Sequence, residues 1–174
     1  ALISANVATF DKSDEAAAKA REAIAKAKEL DSKKEHSSNI EVAGQVLGQY
    51  NFNKGIEAWD KQDFTNAYKS FGQALTFLPG DTTLTYYSGL AAIQNKDYPN
   101  AIAKYKELVP IKEYSSHKVI MVDLPKLMIS HGDTTSALEY AAKAVEAYPN
   151  DNDAAVQNIE LNLMTNNGAK VVAD

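Results

Sequence analysis

The residues able to do chemistry are few, and their spacing limits what they can do. Three histidines occur, His36, His117 and His131. None stands four residues from another, so the H-E-x-x-H arrangement that puts two imidazoles and a general base on one helix face is missing. They read as surface or loop residues, not as metal ligands. Asp151 and Asp153 match the opening of a calcium loop, but the glycine and the closing glutamate of such a loop do not follow. A helix cap is the reading they support. The chain has no cysteine, which excludes disulfides, thiolate metal sites and thiol nucleophiles. No glycine-rich phosphate loop, G-x-S-x-G elbow or kinase signature is present. The expectation is a non-catalytic protein that uses no metal and no cofactor.

What remains is a set of apolar and aromatic residues at helical spacing. Phe52, Ile56 and Trp59 are separated by four and three residues, which places them on one stripe of a helix. Tyr86, Leu90 and Ile93 repeat that stripe 34 residues on. An apolar, aromatic-bearing stripe left uncovered is a candidate contact surface.

The elements that must position these stripes are themselves repeated. Gly55 and Gly89 are 34 residues apart, as are Asp63 and Asp97, Phe64 and Tyr98, Ala67 and Ala101, Phe71 and Tyr105, and Ala74 and Leu108. A third copy follows 36 residues later, with Asp133, Ala137 and Ala141. Pro79 and Pro149 lie 70 apart, the sum of 34 and 36. Each copy reads as two helices. Ala67, Phe71, Ala74 and Leu78 fall on one face of the second. Lys61-Gln62-Asp63, Asn95-Lys96-Asp97 and His131-Gly132-Asp133 are the polar breaks before it, and an aspartate there can accept the free N–H groups of the next helix. Small Ala67, Ala101 and Ala137 let helices approach, while Phe71 and Tyr105 fill the space beyond.

Outside the repeats, Ser13 to Leu30 predicts a long alanine-rich helix in which Ala20, Ile24, Ala27 and Leu30 resemble a second helix of a degenerate copy. Residues 33–37 form a polar loop, and a helix follows from Ser38 into Lys61 with an apolar stripe at Ile40, Ala43, Val46, Leu47 and Tyr50. Gly44, Gly48 and Gly55 lie along one side of it, as close helix contact requires. Pro125 sits inside a helical pattern, where a proline costs about 3 kcal/mol or more. Val119, Val122, Leu124, Leu127 and Met128 carry the periodicity through it and favour a kinked helix over about 116–131 rather than one starting near Asp123. A last helix over about 154–165 is expected to seal the array with Ile159, Leu163 and the residues between. Asn166-Asn167-Gly168 is expected to stop it.

The 174 residues carry a net charge of -5, with 45% hydrophobic residues and bases interspersed with acids. A nucleic-acid binder calls for a clustered basic face, so none is expected as a partner. No apolar run reaches the roughly 18–20 residues that cross a bilayer. The start at Ala1 suggests a mature or trimmed chain.

The 34-residue interval, with glycine in the first helix, then alanine, aromatic and a closing proline, resembles the tetratricopeptide repeat. The likeness covers about Gln49 to Pro149. It departs from the family pattern at Lys54 and Ser88, where a leucine is usual, at Pro125 in place of the glycine, and at Ala141 in place of the second aromatic. The resemblance implies an all-α right-handed superhelix of tandem helix-turn-helix repeats, with a long N-terminal helix and a capping helix. One domain then spans 1–174: an N-terminal helical segment at 1–37, repeats at 38–80, 81–115 and 116–149, and a cap and tail at 150–174. It also implies a concave side lined by first helices, with Phe52, Ile56 and Trp59, then Tyr86, Leu90 and Ile93, then Val122, Lys126 and Ile129. The Lys/Asn/Arg carboxylate clamp of some family members is absent here except for Asn53.

Two readings stand side by side. In one, a protein or peptide lies in this apolar groove. In the other, the aromatics are core, or the chain is a structural, self-assembling subunit of a bacterial envelope complex whose groove is covered by its own helices or a second copy. The stripe Ala17, Ala20, Ile24 and Ala27 is the candidate for self-association. Likeness to exported bacterial proteins of this kind points to the periplasm.

Overall fold

The computed structural model describes residues 1–165 and shows only helices among them. They are α1 (Leu2–Asp11), α2 (Asp14–Leu30), α3 (Ser37–Asp60), α4 (Phe64–Leu75), α5 (Thr82–Gln94), α6 (Tyr98–Leu108), α7 (His117–His131), α8 (Thr134–Ala147) and α9 (Asn152–Met164). No described helix is long and apolar enough to cross a membrane. The expected stop at Asn166-Asn167-Gly168 lies outside the described residues.

The turns after α1, α3, α5 and α7 are built alike. Lys12, Gln62, Lys96 and Gly132 take left-handed φ values of 49°, 58°, 57° and 86°. The next residue then donates its N–H to the carbonyl five positions back. These bonds run Ser13 to Ala8, Asp63 to Ala58, Asp97 to Ala92 and Asp133 to Met128, at 3.2, 2.9, 2.8 and 2.8 Å. That six-to-one bond satisfies a carbonyl the helix end would otherwise leave open. The same residue caps the following helix: Ser13, Asp63, Asp97 and Asp133 accept the N–H of Ala16, Asn66, Asn100 and Ser136. Asp151 caps α9 in the same way. One short sequence element thus ends one helix and starts the next.

The first of these turns exposes a helix that periodicity did not reveal. α1 precedes the expected N-terminal helix and pairs with it. The chain divides into two units, Ala1–Ala91 and a second beginning at Ala92, with the boundary inside α5. In the first unit α1 packs on both α2 and α3. Ala5 and Ala8 of α1, Ala17, Ala20 and Ile24 of α2, and Ile40, Ala43, Leu47 and Tyr50 of α3 form one buried cluster. The stripe Ala17, Ala20, Ile24 is therefore consumed inside the chain and is not a free self-association face. Leu30, expected on the same stripe, is exposed.

α4 packs on α3 around the helical glycines. A Cβ at Gly48 would lie 2.7 Å from Leu78 Cγ, and one at Gly55 would lie 2.3 Å from Phe71 Cε1. Both are inside van der Waals contact, so only glycine lets Leu78 and the Phe71 ring sit against the α3 backbone. Ala67, Phe71, Ala74, Leu84 and Ala91 form the buried centre of this second cluster.

In the second unit α7 packs on α6 and α8, and α9 packs on α8 and α7. α7 is continuous through Pro125, which is buried. The helical periodicity on both sides outweighs the lost backbone bond. The cap helix corrects one expectation. α9 buries Ala154, Gln157 and Leu161, spaced three and four apart, while Ile159 and Leu163 are 44% and 63% exposed. The face that seals the unit contains a glutamine, and hydrophobicity alone picked the opposite side.

Candidate functional site

Phe52, Ile56, Trp59, Tyr86, Leu90 and Ile93 are half-buried, and Lys126 is exposed. In the first unit the aromatics are tied into the core at one edge. The Phe52 ring lies 6.0 Å from Phe71 and 6.2 Å from Tyr87, and Phe71 lies 5.7 Å from Tyr87. Trp59 meets the edge of Phe64 at 5.1 Å, and Tyr86 meets Tyr87 at 6.3 Å. Such offset and edge geometries favour both partners. Phe71 is fully buried, and Phe52, Trp59 and Tyr86 each pack on a neighbouring ring while keeping part of their surface exposed.

Phe52 and Ile56 line a cleft of about 550 Å³ whose wall is completed by Thr9 and Lys12, at the end of α1 and its turn. Its charges are matched in pairs. Lys12 bonds Glu57 at 2.6 Å, and Asp14 takes both the Tyr50 hydroxyl, at 2.7 Å, and the Lys54 ammonium. The Lys54 hydrogen bond, then that of Tyr50, holds the Asp14 carboxyl below its usual 3.8. Burial, followed by the Asp14 hydrogen bond and charge, pushes the Tyr50 hydroxyl up. Neutralised charges leave the apolar surface of Phe52 and Ile56, with Asn53 beside them, as what this cleft offers a ligand. Asn53 accepts from Gln49 at 3.0 Å.

Lys126 lines a different cleft, of about 660 Å³, in the second unit, with Ile129 on α7 and Val156, Gln157, Glu160 and Met164 on α9. Lys126 pairs with Asp123 at 3.1 Å. Trp59, Tyr86, Leu90 and Ile93 line neither cleft. The contribution of α9 was missed because its cleft-facing residues are mostly polar.

The histidines divide. His36 and His131 are exposed, but His117 is buried and corrects the surface reading. Its Nε2 lies 2.8 Å from the Val109 carbonyl and its Nδ1 lies 2.5 Å from the Tyr148 hydroxyl. A carbonyl only accepts, so Nε2 carries a proton and donates it to Val109, while Nδ1 shares a hydrogen bond with the Tyr148 hydroxyl. The ring thereby ties together the end of α6, the start of α7 and the end of α8. Its partners lie 31 residues away and on a main-chain atom, and neither leaves a sequence signal. Among the described residues no group of three or more His, Cys, Asp or Glu could hold a metal ion.

Residues 52–116 match the tetratricopeptide repeat family model. Among solved structures the chain is similar to a MamA RS-1 ArsTM double mutant, at 14% identity over 92% of this chain and 90% of that one, with a TM-score of 0.61. It is also similar to PilF of Pseudomonas aeruginosa, at 13% identity over 89% of this chain and 73% of that one, with a TM-score of 0.58. At such identities the likeness is one of fold. No curated protein sequence matches the chain.

Proposed function

Because residues 52–116 are a tetratricopeptide repeat segment of an all-α repeat protein, and such repeats are protein-interaction modules, we propose that this chain is a non-catalytic scaffold that binds a polypeptide on its first-helix stripes. Phe52, Ile56, Trp59, Tyr86, Leu90 and Ile93 supply the apolar and aromatic contacts, and Lys126 a charged one.

One observation carries this reading. The second-helix residues Ala67, Phe71, Ala74, Ala101, Tyr105 and Leu108 are buried, whereas Phe52, Ile56, Trp59, Tyr86, Leu90 and Ile93 keep exposed surface; Val122, expected on the third stripe, is buried instead and drops out of the candidate face. Phe52, Ile56 and Trp59 pack on the core with one side, and the surface they and Tyr86 leave bare is contact area to spare. The competing reading, that the chain covers its own groove, has α1 in its favour. Yet α1 stands at the wall of the Phe52–Ile56 cleft through Thr9 and Lys12 and leaves its volume open.

Affinity capture from lysate with the intact chain, Ile56→Ser and Tyr86→Ala tests the proposal. Both variants should lose most of the captured partner while unfolding cooperatively at a temperature near that of the parent. Undiminished capture by both variants would sink the stripe as the binding face. Their outright unfolding would make these residues core instead.

A further inference from the structure

The α7–α9 cleft contains a polar group that the fold has paid to bury and has not paired. Gln157 is only 7% exposed, and neither its Nε2 nor its Oε1 has a hydrogen-bond partner. It lines the cleft. A buried amide left without partners lowers stability, and an apolar side chain of similar shape would not. The amide donates through one atom and accepts through the other, so it matches the N–H and C=O of a peptide unit.

The surroundings of Gln157 define what else such a ligand carries. Asp153 and Glu160 stand four residues before it and three after, on the same stripe of α9, and both line the cleft. Across from them Lys126 is engaged by Asp123. The field facing an occupant is therefore acidic, in a chain whose net charge is already -5. Val156 and Met164 line the same cleft and are strongly exposed, and Ile129 faces them from α7.

We infer that this cleft takes an extended peptide segment with a basic side chain next to an apolar one, and that Gln157 reads its main chain. The basic group meets Asp153 or Glu160, the apolar one packs on Val156, Ile129 and Met164, and the Gln157 amide, closed off from solvent in the empty cleft, swings toward the peptide unit between them to complete its hydrogen bonds. The inference rests on the reading of the protein as a polypeptide binder and names the chemistry of the segment it holds.

The experiment is selection of random short peptides displayed on phage against the intact chain. The enriched peptides are then titrated, by fluorescence anisotropy, against Gln157→Leu, Asp153→Asn/Glu160→Gln and Ile56→Ser. Enriched peptides should carry Lys or Arg beside Leu, Ile, Val or Met. Gln157→Leu should weaken them by about tenfold or more, the loss of one well-made buried contact. Asp153→Asn/Glu160→Gln should weaken them further in low salt than in high salt. Gln157→Leu should also melt at a higher temperature than the parent, so its lost binding cannot come from unfolding. Peptides that bind Gln157→Leu as tightly as the parent, or that are acidic, overturn the inference while leaving peptide binding intact. In that case the Gln157 amide stays buried and takes no part in binding, and Ile56→Ser should be the variant that fails. Enrichment of nothing above a blank surface overturns the broader reading as well.

Discussion

The helix pair α3–α4 in the first unit and the pair α7–α8 in the second hold equivalent places in the repeat and pack by opposite means. In the first, Gly55 removes a side chain so that the buried Phe71 ring can lie against the α3 backbone. Seventy residues on, the equivalents are Pro125 and Ala141, both buried. A side chain has appeared on one helix and an aromatic ring has gone from the other. The second pair has also gained the His117–Tyr148 bond across its ends. What the repeat keeps at the helix contact is filled volume, and the identities of the residues that fill it can be exchanged across the interface.

The largest effect should come from emptying the first contact. Phe71→Ala removes a fully buried ring and should cost about 3–5 kcal/mol in urea unfolding, whereas Ala141→Gly at the equivalent place should cost only about 0.5–1 kcal/mol. Equal losses would erase the contrast. A smaller change tests the glycine. Gly55→Ala should cost about 1–3 kcal/mol through overpacking, and combining it with Phe71→Leu should cost less than the sum of the two. Strict additivity in that cycle would mean the two residues do not share the space. The smallest effect concerns the tie that only the second pair possesses. Tyr148→Phe leaves the buried Nδ1 of His117 without its hydroxyl partner and should lower stability by about 1 kcal/mol. An unchanged midpoint would show that the bond contributes nothing.

The parts of this molecule that were legible in the sequence are those encoded locally and repeated. The Asp63, Asp97 and Asp133 caps, the small and large residues of α4 and α6, and the glycine side of α3 each follow from spacing within one or two turns. α1 was not legible because among its described side chains only the small Ala5 and Ala8 are buried, and it has no capping side chain. The sealing face of α9 misled for a related reason. Its buried stripe contains Gln157, and the exposed Ile159 and Leu163 gave the stronger hydrophobic pattern. The role of His117 was out of reach, since one partner is a main-chain oxygen and the other is distant in sequence. The candidate surface is intermediate: spacing names the stripe, but which of its members share a cleft depends on α1 and α9.

The recurring joint at Lys12-Ser13, Gln62-Asp63, Lys96-Asp97 and Gly132-Asp133 also bears on how such a chain can be lengthened or rebuilt. Each joint closes its turn and caps the next helix with hydrogen bonds that run no more than five residues along the chain. A stretch cut at one joint and spliced in at another would arrive with matching ends. Growth of such an array by duplication therefore needs no new way to turn a corner.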